Sequence, residues 1–318
     1  MRIIIFVIVA KRPNVIFGTW SGEASSNNHD AYPLVYIVSW IIKSNIKWGL
    51  FNNRAGRKIA TKVGVHPDFS ADMRRLLYGN GNSYIEYTVP ELRTKGRTVI
   101  YTVIVGNHDI VHEPILINHP RETVDFVLLT DNPNLTSKVW QIRHVTSEMD
   151  SITFARYLRM HPHRYLADYD TCIYVDGSVF IYGDIACLAG LVSDTVPFVV
   201  TKHPERNTVR EEFLAVASRV HLSNDEAIRL YKGYLAEGFS DNIGLGETTM
   251  LVIRNNNPKL MQMLDCWFEL FQQSKARRDQ LVLPVAINRM NYTEYRFIPG
   301  SVWCNQFFMV LPHNTRHR

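Results

Sequence analysis

The stretch Ala155–Asp184, ARYLRMHPHRYLADYDTCIYVDGSVFIYGD, decides the fold that we predict for this chain. It begins as a basic helix, whose arginines are Arg156, Arg159 and Arg164. The apolar run Thr171–Val175 follows and is typical of a short buried strand. Asp176 and Gly177 end this run, at the point where the strands of an α/β sheet present polar groups to a ligand. The stretch therefore predicts a helix, a buried strand and a ligand-binding edge in direct succession.

The same alternation of strands and helices continues on both sides of this stretch. Apolar runs rich in β-branched residues occupy Thr98–Val105, Val124–Thr130, Val139–Val145, Pro197–Thr201 and Thr249–Arg254. Helical periodicity marks Asn207–Arg219, Asn224–Leu235, Asn257–Ser274 and Arg277–Met290. This alternation predicts an α/β fold with a Rossmann-like, mostly parallel central sheet that is flanked by helices. The strands end in polar residues, so we expect a ligand crevice along one edge of the sheet.

Residues 1–96 carry no pattern that fixes a fold. The run Ile3–Ala10 is much shorter than a membrane span, and no clear signal-peptide cleavage site follows it, so we interpret it as a buried strand. The spacing of apolar residues in Ala31–Lys47 favours a packed helix over one that lies on a membrane. With a boundary near Gly96, we predict an N-terminal extension of uncertain fold over 1–96 and the main domain over 97–318.

The composition is that of an ordinary globular protein, with 46% hydrophobic and 20% charged residues in 318. A formal net charge of +5, spread along the chain, suits a phosphate-bearing ligand such as a nucleotide. Motifs typical of nucleic-acid binding are missing, so we expect no nucleic-acid partner. The four cysteines form no CxxC pair, which argues against zinc and favours a reducing compartment. We expect a soluble, cytoplasmic protein without a transmembrane anchor.

The strand-end acid suits the chemistry of phosphate esters. Arginines match phosphate oxygens, and a carboxylate can hold Mg²⁺ or Mn²⁺ against a diphosphate. The familiar Asp-x-Asp pattern is reduced here to Asp176-Gly177-Ser178, so the second acid is replaced by a serine. Ser178 could hold a metal-bound water, or Asp184 could approach from the next turn. The alternative is that Asp176-Gly177 is only the turn of a β-hairpin, since Asp-Gly is a strong turn signal.

Five segments in sequence order resemble a glycosyltransferase-like family that was long catalogued as a domain of unknown function and is now described as hexosyltransferases. They are the basic helix, HPHRYLADYDTCIYVDGSVFI (161–181), KHPERNTVREEF (202–213), the glycine-rich loop before TMLVIRNN (249–256), and SKARRDQLVLPVAI (274–287). The resemblance covers about residues 98–318. It implies a GT-A fold and transfer of a hexose from a UDP- or GDP-sugar to a glycan or another hydroxyl acceptor. Members of the family include Golgi enzymes of polysaccharide synthesis.

The resemblance also implies roles for individual residues. Asp176 becomes the metal or diphosphate residue, together with Gly177 and Ser178. Arg156 and Arg159 face the nucleotide phosphates. Asp279 and Gln280 approach the sugar as catalytic groups, although an acid at a helix start stabilises any helix dipole.

Four further residues are candidates with an alternative each. Glu247 is a catalytic carboxylate or an acid in a loop, and Asp131 binds ribose or uracil or stabilises a turn. His203 contacts the donor, a metal or the acceptor, or is a buried structural histidine. His313 is a metal ligand or part of a frayed basic tail. No general base is evident, so inverting and retaining chemistry both stay open. A catalytically inactive glycan-binding protein and a sugar-phosphate nucleotidyltransferase are the alternative functions.

Overall fold

The structure is a computed structural model that describes residues 5–9, 16–20, 96–106, 108–114, 124–181, 184–217, 222–300, 302–303, 305 and 307–311. The chain divides into two compact units, Met1–Gly79 and Asn80–Arg318. In the first unit, strands β1 (Ile5–Val9) and β2 (Ile16–Trp20) pair antiparallel. β1 confirms the strand that we predicted in this run. The predicted helix over residues 31–47 lies outside the described residues, and the domain boundary near Gly96 stays a prediction.

The second unit contains the central sheet. Its strands are β3 (Thr98–Ile104), β4 (Val124–Thr130), β5 (Gln141–His144), β6 (Thr171–Val175), β7 (Val179–Ile181), β8 (Phe198–Lys202), β9 (Gly246–Arg254), β10 (Tyr295–Ile298) and β11 (Phe308–Val310). Seven of them form one sheet in the order β10-β8-β9-β6-β3-β4-β5, and β7 pairs with β11 in a separate ladder. β9 is antiparallel to β6 and β8, whereas the other pairs of the sheet are parallel. The predicted mixed α/β fold with a mostly parallel sheet is confirmed.

Helices lie in the connections between the strands of the sheet. They are α1 (Ser151–Met160), α2 (Pro162–Tyr165), α3 (Val209–Val216), α4 (Asn224–Ala236), α5 (Pro258–Gln273) and α6 (Asp279–Arg289), with a 3₁₀ helix at Ile185–Leu191. Asp150 caps α1 by accepting the N–H of Thr153 at 3.1 Å. Thr208 and Ser223 form capping boxes at the starts of α3 and α4. The single basic helix predicted from sequence is instead two helices, because Pro162 disfavours a helical conformation at His161.

Each face of the sheet carries its own apolar core. On one face α1, α5 and α6 pack with residues such as Leu158, Trp267 and Phe271, all inaccessible to solvent. On the other face the 3₁₀ helix and the β7–β11 ladder cover residues such as Ile173 and Ile100. Both faces are buried, which explains why β6 is apolar throughout rather than alternating.

Two sequence interpretations are corrected by the strand pairing. The hairpin alternative for Asp176-Gly177 is wrong, because β6 pairs with β3 and β9, while β7 pairs with β11. The last strand predicted to begin at Thr249 begins three residues earlier, at Gly246, so Glu247 lies in β9 and not in a loop. Within the described residues, no helix is both long and apolar enough to cross a membrane.

Candidate functional site

Polar side chains gather where the carboxyl end of β6 meets the amino end of β9. The backbone N–H of Asp176 donates to the carbonyl of Thr249 at 3.0 Å, which fixes the two strand ends against each other. The first turn of α6 and the inward face of α1 lie over the same edge, because side chains from both helices contact these strand ends. In a mostly parallel sheet this is the edge that binds ligands.

Asp176 lies at the open side of this edge. Its Oδ1 accepts the hydroxyl of Tyr174 at 2.7 Å and is 3.7 Å from Nη1 of Arg159, and its side chain is 30% exposed. A hydrogen bond of 2.9 Å from the N–H of Val179 to the carbonyl of Asp176 closes a tight turn. A Cβ at Gly177 would come within 3.3 Å of the Asp109 side chain, so the turn lies directly against the end of β3.

Ser178 is buried beneath the turn, with 2% of its surface exposed. Its carbonyl accepts the N–H of Leu311 at 2.7 Å, which joins the turn to the segment after β11. Ser178 as a metal-site residue stays a prediction, and contact with a ligand at this place would need the side chain to become accessible. His313 lies outside the described residues.

Arg159 has a different place from the one predicted. Its side chain is 2% exposed, and its guanidinium forms an ion pair with Asp279 beside Asp176. The guanidinium carbon also lies 5.5 Å from the ring centre of Tyr174 and 5.6 Å from that of Trp267. Burial and the positive charge of Arg156 lower the pKa of Arg159 from its ordinary value, while Asp176 opposes this shift. Arg159 therefore contacts the carboxylates of Asp176 and Asp279 from the buried side of the site.

Arg156 lies one turn earlier on the same face of α1 and is the more accessible of the two arginines. Its Nε is 3.3 Å from Oδ1 of Asp279, and 32% of the side chain is exposed. A partly exposed guanidinium that is oriented by a carboxylate is suited to phosphate oxygens.

Asp279 is the first residue of α6, so the helix-dipole alternative is confirmed, while its contact with the sugar stays a prediction. It lies at the positive end of the helix dipole, where an acid is stabilising. Its carboxylate also accepts the hydroxyl of Thr248 at 3.0 Å and pairs with Arg156 and Arg159. The indole N–H of Trp267 donates to its backbone carbonyl at 2.8 Å, so the helix start is tied to the core.

Gln280 and Glu247 form the second part of the site. Nε2 of Gln280 donates to Oε2 of Glu247 at 2.9 Å, and the hydroxyl of Thr249 donates to Oε1 of Glu247 at 3.0 Å. The Glu247 side chain is 14% exposed. Burial raises its pKa above the ordinary range, against the opposing effect of these two hydrogen bonds.

His203 follows β8 and is almost fully buried. Its Nδ1 accepts the backbone N–H groups of Glu205 and Arg206 at 3.1 and 3.0 Å, and burial lowers its pKa to about 4. Its Nε2 lies 3.8 Å from Glu212 and 3.9 Å from Glu247. This environment is the one expected of a neutral structural histidine, and contact with donor, metal or acceptor stays a prediction.

Asp131 lies at the end of β4 and is exposed. Its carboxylate accepts the N–H of Gly106 at 3.0 and 3.2 Å. Gly106 has a φ of +68°, so this bond stabilises a left-handed turn at the end of β3. The geometry matches the turn-stabilising alternative, while the contact with ribose or uracil stays untested.

The donor set for a metal ion is small in the part of the chain that the structure describes. No group of three or more His, Cys, Asp or Glu side chains that could hold a metal is found among these residues. Asp279 is surrounded by two guanidinium groups, whereas Asp176 is partly exposed and the half-buried Asp109 lies beside the same turn. Mn²⁺ or Mg²⁺ as a cofactor stays a prediction.

Sequence reasoning missed Glu212, which is inaccessible to solvent. Its carboxylate accepts Nε of Arg206 at 2.5 Å and Nε of Arg278 at 2.7 Å. The signal was present, since Glu212 shares the apolar face of α3 with Val209 and Val216, and an acid on such a face requires a partner.

The comparisons with known proteins give distant structural likenesses and no match in sequence. No protein-family profile matches the chain, and no curated protein matches it. Among solved structures the chain is similar to the apo form of the WbbM bifunctional glycosyltransferase, with 11% identity and a TM-score of 0.37. The similarity covers 66% of this chain and 40% of that one, so the chain spans well under two thirds of that protein.

Proposed function

We propose that the chain is a glycosyltransferase with a GT-A fold that moves a hexose from a nucleotide-sugar donor to a glycan or another hydroxyl acceptor. One observation carries the proposal: Asp176, Arg156, Asp279 and Glu247 come from four different elements and converge on one edge of the sheet. Such an edge is where α/β sheets bind nucleotides. Ionisable side chains from distant parts of the chain that converge in this way are typical of functional sites.

The chemistry assigns a task to each group. Breaking the bond between the sugar and the diphosphate moves negative charge onto the leaving nucleoside diphosphate. The partly exposed Arg156 stabilises that charge, and Asp279 orients its guanidinium group. Gln280 is 2% exposed and its amide bonds to Arg278 and Glu247, so it acts on the site by orienting Glu247.

Asp176 is the residue that fits a metal ion. Mg²⁺ in nucleotide sites is held by one or two carboxylates together with the substrate phosphates, so one accessible carboxylate suffices. A bound Mn²⁺ or Mg²⁺ supplies positive charge against the leaving diphosphate. Ser178, in the same turn, and His313 are the other two residues that we propose for the metal site.

The test is to incubate the protein with a panel of nucleotide-sugars, with and without Mn²⁺. The two quantities measured are the rate of donor hydrolysis and the melting temperature of the protein. We expect one donor to be hydrolysed and to raise the melting temperature. Asp176→Ala is expected to lower the hydrolysis rate by about 10²-fold or more, since it removes an electrostatic group at the reacting centre. Asp194→Ala is the matched control, because Asp194 is 90% exposed and lies before β8, at the opposite edge.

The proposal fails if no donor is hydrolysed and none raises the melting temperature. It also fails if Asp176→Ala hydrolyses the donor as fast as the Asp194→Ala control does. Binding of glycans by the same preparation would then favour the inactive glycan-binding alternative. Formation of a nucleotide-sugar from a nucleoside triphosphate and a sugar phosphate would favour the nucleotidyltransferase.

A further inference from the structure

A chain of hydrogen bonds leads from the core to Glu247, and we call it the Glu212–Glu247 chain. Nε of Arg278 donates to Glu212 at 2.7 Å, Nη2 of Arg278 donates to Oε1 of Gln280 at 2.5 Å, and Gln280 donates to Glu247 at 2.9 Å. A guanidinium only donates, so Gln280 must turn its oxygen to Arg278 and its NH₂ to Glu247. The direction of the chain is thereby fixed from one end to the other.

Glu247 therefore stands at the end of the chain as an acceptor. Gln280 donates to one carboxylate oxygen and Thr249 donates to the other. A carboxylate offers about four acceptor positions, so two lone pairs are left for a further donor. Burial raises the pKa of Glu247, which makes it a stronger base than an exposed acid.

Glu247 is also set apart from the groups that face the diphosphate. Asp176 bonds to the backbone of Thr249, and Glu247 precedes Thr249 by two residues in β9, which corresponds to a rise of about 7 Å along the strand. The leaving-group side and the Glu247 side are thus neighbouring but separate positions of one edge.

A covalent role is disfavoured by the same contacts. A nucleophile must bring one of its oxygens to covalent bonding distance from the anomeric carbon, which requires the carboxylate to move towards that carbon. Both oxygens of Glu247 are tied to the protein, by Gln280 and Thr249. Accepting a proton needs only a free lone pair and leaves these bonds in place.

We infer that Glu247 is the general base of the transfer and that the reaction inverts the configuration at the anomeric carbon. The inference rests on the proposed function. The acceptor O–H loses its proton to a carboxylate oxygen of Glu247, and the acceptor oxygen forms a bond to the anomeric carbon. The bond from that carbon to the β-phosphate oxygen breaks, and its electron pair leaves with the nucleoside diphosphate. Arg278, held by Glu212, is a positioning residue that fixes Gln280 and through it Glu247.

The experiment uses the full chain with the donor that is found to be hydrolysed and an acceptor that is glycosylated. The anomeric configuration of the first-formed product is read by proton NMR, and inversion is expected. Glu247→Gln is expected to lower the transfer rate by about 10²–10⁴-fold, while the donor still raises the melting temperature. Glu237→Gln is the matched control, because Glu237 is exposed at the end of α4 and pairs with Arg289.

Two further variants separate catalysis from folding. Glu247→Asp keeps the charge and draws the carboxylate back, so we expect a folded protein that is slower by about 10²-fold. Gln280→Leu removes a donor that stabilises the ionised form of Glu247. Its acid limb of kcat/KM against pH is therefore expected to move to higher pH, a shift that a purely structural role would not produce.

A product of retained configuration overturns the inference and leaves the transferase intact. An unchanged transfer rate in Glu247→Gln overturns it as well. If the wild-type protein uses no donor at all, the proposed function has failed and the inference fails with it, and this outcome differs from the other two in the first measurement.

Discussion

Replacing Arg159 by methionine is expected to lower the free energy of unfolding by about 3–5 kcal/mol, the usual cost of breaking a buried ion pair. The Arg159 side chain is 2% exposed, and its partner Asp279 is 6% exposed. Without the guanidinium, the buried carboxylate of Asp279 keeps only Arg156 at 3.3 Å as a cation. Asp176 also loses the positive charge 3.7 Å from its Oδ1.

Methionine is chosen because it preserves most of the apolar contact. The guanidinium lies over the rings of Tyr174 and Trp267 at 5.5 and 5.6 Å, and a thioether fills part of the same space. The loss is therefore mainly electrostatic. With a urea dependence of about 1–3 kcal/mol per molar, the unfolding midpoint is expected to fall by about 1–5 M.

The assay is urea unfolding at pH 7, followed by tryptophan fluorescence and circular dichroism. Arg164→Met is the matched control, since Arg164 is half exposed and only 3.3 Å from the exposed Asp265. An exposed pair of this kind contributes at most about 1 kcal/mol. The double variant Arg159→Met/Asp279→Leu removes both charges and is expected to recover part of the loss.

A loss of less than about 1 kcal/mol for Arg159→Met, equal to that of Arg164→Met, would refute the reasoning. So would a double variant whose loss equals the sum of the two single losses. In either case Arg159 would not be the cation that holds the two carboxylates in place.

Two further predictions concern stability. Burial lowers the pKa of His203 from 6.5 to about 4, so between these pH values the unfolded chain binds more protons than the folded chain. The contribution of His203 to the free energy of unfolding is therefore complete above pH 6.5 and is lost as the pH drops towards 4. His203→Asn, which can still accept the backbone N–H groups, should make this fall shallower in urea titrations, whereas the exposed His144→Asn should not. Gly246→Ala would bring its Cβ within 2.9 Å of Val200 Cγ1, and we expect a loss of about 1–3 kcal/mol in the same assay. Gly233→Ala in α4, with no atom within 4 Å, should instead gain up to about 1 kcal/mol.

The elements that the sequence predicted well are those whose signals are local. The bounds of β6 match the predicted run at Thr171–Val175, because an apolar run between polar turns marks a strand that is buried on both faces. α5 likewise follows its apolar stripe from Pro258. In both elements the residues that form the signal are neighbours in the chain.

Features that depend on distant pairing were missed. β11 and β7 are short strands that bury each other, and neither carries a pattern that names its partner. The start of β9 at Gly246 was missed for the same reason, because Gly246 and Glu247 pair with β8 beyond a register shift. The position of Glu247 on a strand, and not in a loop, is thus a property of the sheet.

The two arginines of α1 show the same limit within the site. Arg156 and Arg159 are three residues apart and share one helix face, so periodicity gives them equal standing. Their difference comes from α6, since Asp279 pairs with both while Trp267 and Tyr174 cover only Arg159. A sequence pattern finds the pair, and only the tertiary packing shows that Arg159 is buried while Arg156 is partly exposed.

The start of α6 connects the two halves of the site. Asp279 completes the contacts of Arg156 and Arg159, and the next residue, Gln280, completes the Glu212–Glu247 chain. The segment just before them is fixed, because Arg277 has a φ of +45° and its guanidinium binds the carboxylate of Asp150 at 2.8 and 2.9 Å. Asp150 is the N-cap of α1, so this contact holds the start of α6 next to the start of α1. The leaving-group side and the Glu247 side are therefore positioned together by one helix start.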